Sequence, residues 1–351
     1  MPTQTGTRVD ASLLRKLAAP LGLSAPAYAR ALELAGCVPN ASEWQRLLSR
    51  FLLSVGVALA LSGVAAFFAY NWAALPHLAK FALIQAGIFA GIAVCAWRGL
   101  DSPWGRSALF AAAVLCGILL AVFGQTYQTG ADPYGLFLAW LLLILPWALI
   151  GRQPALWMLV VVLANLALLL FWQQVLYPPD GLGELAAMLG PGFMVMHALQ
   201  DFRLAQLVFA LNVAAMLAWE VLRWRGVTWA GGRWFVRLLA GFALAGMTGT
   251  TLVVIVSGVH GPARLWGYGP PVWFALFVGA CLWFYRMRRP DLFILAACLL
   301  ATIIVVTALV GRSVPFDVDL ALLLALLVIG QTAAATFWLR KVAADWSESQ
   351  Q

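Results

Sequence analysis

A short polar stretch interrupts an otherwise apolar chain between Gly124 and Pro133. It reads Gly-Gln-Thr-Tyr-Gln-Thr-Gly-Ala-Asp-Pro and is followed by Tyr134. Gln125, Tyr127, Asp132 and Tyr134 supply an amide, a carboxylate and two phenols, a set that can hold a lipid headgroup or a peptide loop. A second polar run starts at Asn71 and ends at His77, just before Lys80. It adds an amide, an imidazole and an amine. Together, Asn71, His77, Lys80, Gln125, Tyr127, Asp132 and Tyr134 form the candidate binding set. Asp132-Pro133 also has a structural reading, because Asp favours a helix N-cap and Pro the first helical position.

Catalytic signatures are absent. His77, His197 and His260 are the three histidines, and none has HxxxH, HxH or HExxH spacing. A zinc site would need residues from three separate segments, so the histidines read first as solvated loop residues. No serine nucleophile motif, P-loop or glycine-rich dinucleotide fingerprint is present. Cys37, Cys95, Cys116, Cys281 and Cys298 lack ligand spacing and read as packing residues. No catalytic residue, metal or cofactor is expected.

The elements that must position these side chains are membrane helices. Of the 351 residues, 63% are apolar and 10% charged, whereas soluble domains carry roughly a quarter charged residues. Apolar runs longer than ~18 residues mark membrane spans, and their lack of alternation excludes a β-barrel. The expected fold is all-α: a polytopic bundle with spans at about 51–70, 78–97, 108–123, 135–150, 155–172, 204–221, 235–256, 271–285, 292–310 and 320–338. Residues 1–50 read as a helical N-terminal segment, with helices over Ala11–Ala19 and Ala25–Ala35. A capping box at Ser42–Gln45 then opens a helix that runs into the first span. A short polar tail, 341–351, follows the bundle, which occupies 51–340. Charges of both signs precede the first apolar run, which argues against a cleavable signal peptide.

Loop charge orients the bundle. With the N-terminus in the cytoplasm, 18 of the 22 lysines and arginines fall on inner segments and the other four on outer ones. That bias places both termini inside and explains the net charge of +8 without nucleic acid. Both polar runs and all three histidines then lie on the outer face.

No ionisable side chain lies near the middle of a span, which argues against proton coupling. Glu220 and Lys80 sit near span ends, where each can snorkel to an interface. The mid-span polar residues Gln85, Asn165, Asn212 and Thr302 read as interhelical hydrogen-bonding groups. Gly87 and Gly91, and again Gly241, Ala245 and Gly249, have the small-residue spacing that lets helices approach closely. Packing within the bundle is the simpler reading of both rows.

Phe68-Ala69-Tyr70-Asn71-Trp72, then Leu75-Pro76 and Lys80, resembles the predicted membrane proteins called domain of unknown function 2157. So does Gly124-Gln125 through Tyr127, then Gly130, Asp132-Pro133, Leu136-Phe137, Trp140 and Leu145-Pro146. The resemblance covers roughly Ala11–Leu170. It implies a bacterial inner-membrane protein with no assigned catalytic residues. It also implies, as partners, other multispan membrane proteins encoded nearby.

Three functions stay open on the sequence alone. The leading one is a non-enzymatic scaffold or transport component whose outer polar site binds a partner loop or an anionic headgroup, with Lys80 as the charge. The second is a membrane-embedded enzyme acting on a lipid-linked substrate. The third is a facilitator of a neutral or amphipathic solute, for which a discontinuous helix or a water-filled cavity at mid-depth would speak.

Overall fold

The computed structural model describes residues 14, 23–35, 41–70, 76–127, 130, 132–176, 202–257, 267–313 and 318–348. Among them are eleven α-helices and no strand. They are α1 (Ala25–Leu34), α2 (Ala41–Tyr70), α3 (His77–Arg98), α4 (Pro103–Tyr127), α5 (Pro133–Gly151) and α6 (Pro154–Phe171). Then come α7 (Phe202–Trp224), α8 (Trp234–Ser257), α9 (Gly269–Met287), α10 (Leu292–Ser313) and α11 (Val318–Glu348). A π-helical turn, Trp172–Leu176, extends α6, and a 3-10 turn, Thr228–Ala230, joins α7 to α8. The all-α expectation holds.

Each of the ten expected spans falls on one helix, from α2 to α11. Nine described helices are long and apolar enough to cross a membrane. The tenth, α9, carries Pro270, Pro271, Trp273, Tyr285 and Arg286, which lower its hydropathy. The short third run gains flanking residues on both sides and becomes the 25-residue α4. Pro146 lies inside α5, which continues to Gly151; membrane helices tolerate such a proline where neighbouring groups re-satisfy the freed carbonyl. α2 is one helix of 30 residues, so the N-terminal segment does run into the first span. It starts at Ala41, which puts Ser42 inside the first turn. The first expected helix, over Ala11–Ala19, lies outside the described residues except at Leu14.

The chain divides into two compact units, residues 1–115 with 351, and 116–350. In the first, α3 packs closely on the start of α4. A Cβ on Gly91 would sit 2.9 Å from the Ala108 carbonyl oxygen and 3.0 Å from Ala112 Cβ. One on Gly87 would meet Leu115 Cδ1 at 3.0 Å. The GxxxG of α3 therefore packs within the unit, as its spacing suggests.

In the second unit the α5–α6 hairpin turns on two residues, Arg152 and Gln153. Arg152 takes the left-handed conformation at φ 46°, one that a glycine would adopt without strain. Gly117 of α4 meets the Trp140 ring of α5, and a Cβ there would clash with it. The core is formed by α7, α8, α9 and α10, whose buried residues include Phe209, Met216, Phe235, Met247, Phe277 and Leu295. Trp157 of α6 and Val342 and Trp346 of α11 close over its flanks. The sequence suggests a free tail after Arg340. Instead α11 continues to Glu348, Val342 is 1% exposed, and Trp346 Nε1 donates to the Arg286 carbonyl at 3.3 Å.

Candidate functional site

The second unit has two ends of different character. One carries Arg152, Arg223, Arg225, Arg233, Arg237, Arg286, Arg288 and Arg289, and is called the arginine-rich end. The other carries the Gln125–Tyr134 turn, between the C-terminus of α4 and the N-terminus of α5.

At that turn, Gln125 and Tyr127 are exposed on the last turn of α4, with the Tyr127 ring 4.8 Å from that of Phe123. The Thr126 hydroxyl between them is buried without a hydrogen-bond partner. Gly130 has φ 59°, the left-handed geometry that lets the chain reverse toward α5. Asp132 takes the N-cap position and Pro133 opens the helix. The Asp132 carbonyl accepts the Gly135 N–H at 2.9 Å, but its carboxylate makes no capping bond and is exposed. Tyr134 is anchored: its N–H donates to Gln174 Oε1 at 3.4 Å, and its ring meets Phe171 edge-on at 5.2 Å. Of the expected set, then, Tyr134 ties two helices together while Gln125 and Asp132 face solvent.

The remaining members belong to the first unit. His77 is exposed as the first residue of α3. Lys80 is 3% exposed, so it does not snorkel and offers no surface charge. Asn71, His197 and His260 lie outside the described residues. No group of three or more His, Cys, Asp or Glu able to hold a metal occurs among the described residues.

The arginine-rich end holds polar groups that no sequence motif singles out. Glu220 does not snorkel; it is 7% exposed. Its Oε1 accepts from Arg223 Nη1 at 2.7 Å and from the Tyr285 hydroxyl at 3.2 Å. Asp291 is 5% exposed and accepts from Arg237 Nε at 3.0 Å. The same carboxylate caps α10 through the N–H groups of Phe293 and Ile294, at 3.1 and 3.4 Å. Arg233 reaches the Pro290 carbonyl at 3.0 Å, and Trp219 Nε1 the Ala230 carbonyl at 3.1 Å. Glu220 and Arg223 are three apart, a spacing that brings side chains together on one helix face, and that signal was legible. Tyr285 is 65 residues away and was not.

Between α6, α7 and α8 lies a cavity of about 290 Å³. Its one polar lining residue is Asn212, 2% exposed at the middle of α7. Asn212 Nδ2 donates to Asn165 Oδ1 and to the Val208 carbonyl, both at 2.7 Å. Asn165 Nδ2 donates back to Asn212 Oδ1 at 3.3 Å and to the Val161 carbonyl at 2.8 Å. Each amide thus spends one donor on the other helix and one on the carbonyl four residues back on its own, and the mutual pair ties α6 to α7, the role expected of mid-span asparagines.

Comparison with known proteins agrees with the motifs. Residues 21–157 match the model of a family described as predicted membrane protein (DUF2157), the family that the Asn71 and Asp132 segments resemble. The match covers less than half of the chain and ends early in α6. No curated protein and no solved structure matches the chain.

Proposed function

We infer that the chain is a non-enzymatic scaffold or transport component of the bacterial inner membrane, with a polar docking site at the periplasmic end of its second unit. Gln125, Tyr127 and Asp132 form the contact surface, and the anchored Tyr134 holds it in place. The observation that carries this reading is the Asp132 carboxylate. It stands at the start of α5, exposed, and its own helix does not use it. The positive end of the helix dipole favours a charge there even without a capping bond. A cationic or hydrogen-bond-donating loop of another multispan membrane protein is the occupant that this chemistry fits. His77 is proposed as a separate exposed contact in the first unit. Lys80, being buried, acts inside that unit rather than on a headgroup.

The test is co-purification from native membranes, comparing the unaltered protein, Asp132→Asn and Glu33→Gln as a surface control. The expected result is a multispan partner retained by the unaltered protein and the control but lost from Asp132→Asn. Identical partner sets for all three would sink the reading.

A further inference from the structure

The cavity beside Asn212 is at odds with a bundle built only to pack. Protein interiors are close-packed and carry few voids larger than a water molecule. This one runs along α7 from Leu204 to Asn212, a rise of ~12 Å at 1.5 Å per residue. Its volume of about 290 Å³ is nearly twice that of the ~150 Å³ apolar cavity that takes one benzene. Leu169, Leu204, Val208 and Phe242 are among the apolar side chains that line it.

Two observations say what fills it. Water needs two to four polar partners in such a space. Among the described residues that line it, the one polar side chain is Asn212, and both of its N–H donors are already bonded to Asn165 and Val208. The second is the wall formed by α8. Phe242 is 56% exposed and Ala245 is exposed, and a Cβ added to Gly246 would meet nothing within 4 Å. Gly241 has the same open space before it. Two of the three members of the small-residue row, Gly241 and Ala245, therefore seat no neighbouring helix among the described residues, and beside them Gly246 opens the cavity sideways. α6, α7 and α8 are all of membrane-spanning length and composition, so the medium at that opening is bilayer hydrocarbon.

We propose that this cavity is a binding slot for one acyl chain of a membrane phospholipid, entering between α6 and α8 with its end against the Asn165–Asn212 clamp. The slot is independent of the docking site proposed at Asp132. Hydrocarbon fills the space without needing a donor, and burying each methylene among the lining side chains is favourable over leaving the void. The clamp sets the depth, because a chain passing it would have to break the mutual hydrogen bonds of the Asn165 and Asn212 amides.

The experiment is photolabelling of the full chain in phosphatidylethanolamine and phosphatidylglycerol vesicles. One probe is a phospholipid with a diazirine at the acyl terminus; the other carries it beside the headgroup. Labelled peptides are mapped by mass spectrometry, with the exposed Leu322 and Leu326 of α11 as the measure of ordinary lipid contact. The terminal probe should label the segments around Asn212 and Phe242 several-fold above that measure, and the headgroup probe should not. Gly246→Leu, which fills the opening, should abolish the excess while leaving α11 labelling unchanged. Labelling no higher than at α11, equal labelling by both probes, or an excess that survives Gly246→Leu would each overturn the proposal. If Gly246→Leu does not fold, the two-probe comparison on the unaltered protein decides alone. Loss of the excess on adding a water-soluble alkyl alcohol, but not unlabelled phospholipid, would also overturn it, in favour of a small amphipathic solute.

Discussion

At the arginine-rich end of the second unit, the two buried carboxylates act on their own fold. Glu220 holds Arg223 and Tyr285, and Asp291 holds Arg237 while capping α10. At the opposite end, the ties among the described residues include neutral amides and a single cation-to-carbonyl contact. Trp273 donates to Gln206, Tyr134 to Gln174, and Arg312 to the Val256 carbonyl. Asp132 contributes no such tie. Where a carboxylate is buried it must be paired or it destabilises the fold. Where it is exposed and makes no cap, its loss should leave the fold intact, and under the function proposed above a partner is what it serves. The two ends thus contrast buried, paired carboxylates with an exposed one, and substitutions at each should report different quantities.

The largest effect is expected at Glu220. Its side chain and that of Arg223 are 8% and 12% exposed. Glu220→Ala leaves a buried guanidinium unpaired and the Tyr285 hydroxyl without its acceptor. Breaking a buried pair costs about 3–5 kcal/mol, so thermal unfolding in detergent should move sharply downward. Replacing all the partners, Glu220→Leu with Arg223→Met and Tyr285→Phe, should recover most of the loss, because an apolar set of similar volume is often neutral. A triple variant as unstable as the single one would show that these side chains matter for more than their mutual pairing.

Asp291→Ala comes next. It removes the ion pair with Arg237 and the cap of α10 at once. The Arg237 side chain is 37% exposed, so water replaces some of the pairing and the loss should be smaller than at Glu220. A missing cap alone costs about 1 kcal/mol. Restoring a cap without charge, Asp291→Asn, separates the two contributions in the same unfolding measurement.

A smaller loss is expected in the middle of the unit. Asn212→Leu breaks the amide clamp between α6 and α7. Interhelical hydrogen bonds in membranes average ~0.6 kcal/mol and reach ~1.7, and Asn165 would be left with a dangling amide. The fall in unfolding temperature should therefore be less than for either carboxylate. An equal or larger fall would mean that the clamp, not the ionic end, organises the unit.

How much of this was legible depends on the range of the interaction. Spans follow from local apolarity, so α2 to α11 could be read from runs of residues. The GxxxG of α3 was read as packing, and Gly91 does lie against Ala108 and Ala112. The matching row in α8 carries the same local signal, yet Gly241 faces open space and Ala245 is exposed; spacing permits close approach but does not supply the partner. The helix beyond Arg340 was hidden by its polar composition, because Trp346 is held by a carbonyl 60 residues away. Lys80 and Glu220 looked like snorkelling residues from their positions near span ends. Both are buried, and for Glu220 the cause is a tyrosine that the sequence places far away. In the candidate site, Asp132 at the N-cap position was legible because Asp-Pro is a local signature. That its carboxylate would leave the cap unmade was not.

Asp132→Asn should have the smallest effect on stability and the clearest effect on function. The side chain is exposed and bonds to nothing in its own helix, and surface substitutions of that kind stay within about 0.5 kcal/mol. The unfolding temperature should therefore be unchanged within error. Asparagine preserves size, removes the charge and turns one acceptor oxygen into an N–H donor, so a partner that needs the carboxylate should be lost while the fold is kept. The opposite pattern, a destabilised protein with its partner retained, would place Asp132 with Glu220 and Asp291 as a structural carboxylate. The contrast between the two ends of the unit would then fail at the residue on which it rests.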